Sequence, residues 1–136
     1  MSHDQHRRLE DVLDREIEAA RLLAATLAEE RTALTGDSPE AVQQKSAEKV
    51  RLLETIEKLE EERRALGSVE TVADRWHALM ELMAGCRAAN EVNGYIIHMR
   101  QGQIRQLMDI VRGGPSITYG PRGTTSAKAL RALARA

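Results

Sequence analysis

The chain of 136 residues is the size of one domain, and its formal net charge of −1 conceals an imbalance: residues 1–91 hold 20 acids and 13 bases, residues 92–136 one acid, Asp109, and seven bases. With no Phe, one Trp, two Tyr and 30% charged residues, the composition excludes an aromatic-rich β-fold and reads as long helices packed on one another. The lone Cys86 excludes an internal disulfide, no apolar run approaches the ~18 residues of a membrane span, and the polar start MSHDQHRR lacks an apolar signal core, so a reduced, cytoplasmic protein without membrane insertion is expected.

The first predicted helix covers about residues 3–35. Leu9, Val12, Leu13, Ile17, Ala20, Leu23, Ala24, Leu27 and Leu34 recur at threes and fours, which stacks them on one face. Ser2 and Gln5 stand at capping-box spacing before it. Gly36 stops the helix, and Ser38 with Pro39 supplies a cap and a preset first residue for the second, expected over 39–66. There Val42, Val50, Leu52, Leu53, Ile56, Leu59 and Leu66 form the inner face, and the Glu and Lys side chains read as solvated surface.

Gly67 and Ser68 make the next turn, with Thr71 and Asp74 as an alternative capping box. The third helix, over 69–112, keeps a heptad seam: Val69, Val72, Trp76, Leu79, Met83, Cys86, Asn90, Asn93, Ile97, Arg100, Ile104, Leu107 and Val111. Asn90 and Asn93 in that seam are expected to fix helix register by hydrogen bonds across the bundle. Gly94 and Gly102 suggest a close helix approach or a bend. Met80, Met83 and Met99 read as core filling. Gly113, Gly114 and Pro115 end the helix and open a turn-rich tail, 113–136, whose last part from Ser126 has the pattern of a short basic amphipathic helix.

These elements predict an all-α fold, an antiparallel three-helix bundle over 1–112 with a flexible C-terminal tail. At ~1.5 Å per residue the three helices span roughly 48, 42 and 60 Å. With short turns the third must outrun its neighbours after about residue 102, leaving Ile104, Leu107, Met108, Ile110 and Val111 without cover. The tail, a second copy of the chain, or a partner's amphipathic helix are the available covers.

Chemistry has little support in the residues. His3 and His6 lie near the start and His77 and His98 are 21 apart, with no ligand cluster at metal spacing, so neither metal, cofactor nor catalytic residue is expected. The bases of the C-terminal part are scattered singly, with only Tyr95 and Tyr119 to stack on bases, which speaks against nucleic acid.

The run NEVNGYIIHMRQGQIRQLMDIV, residues 90–111, and the tail element Thr118, Tyr119 and Gly123 together resemble the FlgN family of flagellar type III export chaperones. The resemblance in layout covers nearly the whole chain; its specific motifs cover about the last third. It implies a non-enzymatic chaperone that binds the C-terminal helical segments of hook-filament junction proteins, prevents their premature assembly and delivers them to the export gate. On the residues that match, it implies a client surface at Ile97, Arg100, Ile104, Leu107, Met108 and Val111, with Tyr119 docking the gate's cytoplasmic domain. Where many relatives place Asp after this Tyr, the chain has Gly120 and Pro121. A self-associating coiled coil using the same uncovered helix is the competing reading.

Overall fold

A computed structural model describes residues 2–113, and within them three long helices and one short turn of helix. Helix α1, His3–Leu34, opens with the reciprocal capping box: Ser2 Oγ accepts from the Gln5 N–H while Gln5 Oε1 accepts from the Ser2 N–H, both at 3.1 Å. Helix α2, Pro39–Leu66, starts on Ser38, whose hydroxyl accepts from the Ala41 N–H at 3.2 Å, with Pro39 in the first turn. It ends at Gly67, whose φ of 117° a side chain would resist.

The entry to the third helix differs from expectation. The chain forms a single 3₁₀ turn at Glu70–Val72, and the helix proper, α3, is Ala73–Arg112 with no side-chain cap at its start. Thr71 is instead drawn to α1, its hydroxyl 3.3 Å from His6 Nδ1, so the Thr71–Asp74 capping box does not form. Helix α3 ends on Gly113, in the left-handed region at φ 79°, with its N–H on the Asp109 and Ile110 carbonyls.

The helices make an all-α bundle in which α1 is the central member. Both α2 and α3 pack on α1, but no Cα of α2 comes within 8 Å of one of α3. Leu9, Leu13, Leu23, Leu27, Leu53, Leu79 and Met83 fill the core between them. The inner stripe of α2 is rotated from the one that its apolar residues suggest. Lys49, Leu53, Ile56, Leu59, Glu60 and Arg63 are buried, while Val50, Leu52 and Leu66 are only partly so. Lys49 and Arg63 can turn inward because acids on α1 meet them, a cross-helix match that apolar periodicity does not register.

Two other readings are corrected. A Cβ built on Gly94 or Gly102 meets nothing within 4 Å, so neither glycine serves a close approach among the described residues. Met99 is 47% exposed on the outward side of α3 and fills no core, unlike Met83.

Near the lower end, Arg63 Nε donates to Glu16 Oε1 at 2.8 Å, and its guanidinium lies 4.6 Å over the Trp76 ring. Burial pushes the Glu16 carboxyl above its ordinary value of 4.5, and Arg63 pulls it back only in part. A raised value means that the folded chain holds this proton more tightly than the unfolded chain does. Glu16 therefore favours folding below pH 4.5, and that contribution is lost as pH rises through its folded value. Relative to a Glu16→Gln variant, the natural chain is expected to lose stability as pH rises from 4.5 toward neutrality. Urea melts of both chains across that range check this, and a difference independent of pH would mean that Arg63 fully offsets the burial.

Candidate functional site

The site starts from how α3 lies against α1. The Cys86 thiol donates to the Ala20 carbonyl, the Asn93 amide to the Leu27 carbonyl, and Arg100 to the Leu34 carbonyl; each pair is 66 residues apart in sequence. The two helices thus run parallel at a fixed offset, and Arg100 is level with the last residue of α1. Residues 101–112 of α3 continue beyond it.

Asn93 and Asn90 anchor that alignment. Asn93 is fully buried and donates at 2.9 Å both to the Leu27 carbonyl and to Glu30 Oε1, while its own carbonyl accepts from Arg31 at 3.1 Å. Glu30, also fully buried, takes Lys49 on one oxygen at 3.1 Å and Ser46 on the other at 2.9 Å; Lys49 donates in turn to Asn90 Oδ1 at 3.1 Å. One connected polar cluster therefore joins all three helices at one level. Sequence reading found its two asparagines but missed Glu30 and Lys49, whose only signal is that they fall on the faces of α1 and α2 that turn toward each other.

Above this cluster the packing opens into a groove of about 650 Å³. Leu34 closes its α1 side, Val42, Ala47 and Val50 line the α2 side, and Ile97 and Ile104 the α3 side, with Asp37 and Gln101 at the rim. The α2 and α3 backbones stay more than 8 Å apart, and here the side chains between them include the short Val42, Ala47 and Val50, which leave the gap unfilled.

The groove leads onto the free end of α3, where Ile104 is 59% exposed, Leu107 63%, Met108 43% and Val111 80%. Helical spacing carries Ile97, Ile104, Leu107 and Val111 along the side of α3 that faces α1 lower down. The structure thus brings Ile97 and Ile104 into the groove and strings Leu107, Met108 and Val111 beyond it. Arg100, expected on the client surface, has its guanidinium donating to the Leu34 and Gly36 carbonyls, where it caps the C-terminal end of α1. Tyr119, the tail's turn element and the segment from Ser126 lie outside the described residues.

Among the described residues no group of three or more His, Cys, Asp or Glu side chains is placed to hold a metal ion, and no helix is long and apolar enough to cross a membrane. The arrangement offers an extended apolar strip beside a groove, suited to a helix of complementary shape. The family model described as FlgN protein matches residues 67–127, which takes in α3 and the groove's α3 wall. No curated protein and no solved structure matches the chain.

Proposed function

We propose that this chain, whose residues 67–127 match the FlgN family model, is a flagellar export chaperone that acts in the cytoplasm on hook-filament junction proteins. Their C-terminal helical segments lie along Ile97, Ile104, Leu107, Met108 and Val111, so that the apolar faces they would use for assembly are covered. Tyr119 is left to dock the cytoplasmic domain of the export gate. The observation that carries this reading is the run of α3 past Arg100, where five large apolar side chains, Ile104, Leu107, Met108, Ile110 and Val111, are exposed. Burying such side chains returns about 25 cal/mol per Å², enough to hold an amphipathic helix whose own apolar face needs cover.

Arg100, engaged with the end of α1, contributes by fixing where the free stretch begins. Asn90 and Asn93 act on register from below and touch no client, since Asn93 has no exposed surface. Calorimetric titration with the C-terminal helical segments of the junction proteins, repeated with a chain ending at Gly114, tests the reading. Binding in the micromolar range, about −8 kcal/mol, is the expected result, and the shortened chain reports whether the helix and groove suffice without the tail. Absence of a complex with either segment would overturn it.

A further inference from the structure

The side of α3 turned away from the client strip carries a pattern that the chaperone reading does not use. Gly94, His98 and Gly102 follow one another at intervals of four, the spacing of a ridge along a helix. Glu91 and Arg105 stand seven residues to either side of His98, and Arg87 and Asp109 eleven residues to either side. Helical periodicity puts all seven on one face. Read from His98 outward, each acid on one arm therefore has a base at the same distance on the other. Rotating a second α3 by half a turn about His98 sets Glu91 against Arg105 and Arg87 against Asp109, twice each, with the glycine pairs facing each other at the centre.

We infer that this face is an antiparallel interface between two copies of the chain, with its two-fold axis at His98. Three observations converge on a second copy as the occupant. The charges are self-complementary, as a two-fold contact requires, since residue i meets j and j meets i. Both glycines lack a Cβ and meet nothing among the described residues where one would stand, so two α3 backbones can approach closely here. Along one edge Tyr95 is 65% exposed and Met99 47%, and with Val92 they give the contact an apolar component that no described residue buries. Arg87, Arg105 and Asp109 already hold interactions within their own chain, and the pairs across the axis add to these. The client strip stays free, because Ile97, Ile104, Leu107 and Val111 lie on the other side of α3.

The test is the molecular mass of the full chain in solution, by sedimentation or light scattering, from low to high micromolar concentration. The expected result is a reversible rise from 15.1 kDa toward twice that mass. Glu91→Arg alone and Arg105→Glu alone each oppose like charges twice and are expected to weaken association about tenfold or more. The double variant carrying both changes restores opposite charges at both places and is expected to recover the association of the natural chain. A surface that merely dislikes altered charge would not recover. A monomer at every concentration, or a double variant no better than the singles, would overturn the inference. Client titration of the same variants is a separate readout: unchanged client binding leaves the proposed function standing whatever the mass shows.

Discussion

Replacing Lys49 with methionine is expected to cost about 3–5 kcal/mol of folding stability. The ammonium reaches both oxygens of Glu30, at 3.1 and 3.0 Å, and the Asn90 carbonyl at 3.1 Å, in a place where Lys49 is 2% exposed and Glu30 not at all. Methionine fills nearly the same volume, so the loss is electrostatic: a buried carboxylate keeps Ser46 and Asn93 but loses its counter-charge. For a domain whose whole stability is typically about 5–15 kcal/mol, that should lower the melting temperature by roughly 10 °C or more. Changing Glu30 to methionine as well removes the stranded charge and should recover much of the loss, because a buried pair is often replaceable by apolar groups at little net cost. Recovery stays incomplete, since Asn90 and Asn93 lose acceptor or donor partners. Chemical denaturation of the two single variants and the double variant reads this directly. A loss under about 1 kcal/mol for Lys49→Met would mean that water reaches Glu30 and that the cluster is not a sealed one.

The second large effect is on binding. Leu107→Asp together with Val111→Asp places two charges on the strip where a client helix is proposed to lie, and is expected to weaken that binding about a hundredfold or more. Stability should hardly respond, because these side chains are 63% and 80% exposed and touch no core cluster; a change within about 0.5 kcal/mol is typical for such positions. The pair of measurements separates three cases. Lost binding with an intact melt supports the strip, whereas a collapsed melt would make the two residues structural. Retained binding would move the client into the groove beside Val42 and Val50.

Much of this architecture is legible in the sequence because its signals are local. Ser2 with Gln5, Ser38 with Pro39, and Gly113 mark helix ends through short-range hydrogen bonds and backbone preference, and the structure uses all of them. The excess length of the third helix follows from counting residues between those marks. The start of α3 escapes the same logic, since Thr71 had a competing partner on α1 that no spacing rule displays. The inner face of α2 escapes it too. Lys49 and Arg63 look like surface until their acids on α1 are known, and only the packed arrangement pairs them. The candidate site divides in the same way. Ile104, Leu107 and Val111 continue a visible heptad, whereas the α2 wall of the groove depends on how far apart two helices stand. The position of Arg100 against the end of α1 depends on a 66-residue alignment set by tertiary contacts.

That alignment also makes the size of the exposed strip a difference between lengths. α1 is 32 residues and α2 28, against 40 for α3, and the shorter two decide where shelter ends. Lengthening α1 and α2 together by one turn, about four residues each, would slide the edge of cover up to Ile104 without altering any residue of the strip. Grip on a partner can thus be tuned at the α1–α2 turn, without changing a residue of α3, while the interior that sets thermal endurance stays as it is. Mutations that adjust the one need not disturb the other, which leaves the two properties free to drift separately over evolutionary time.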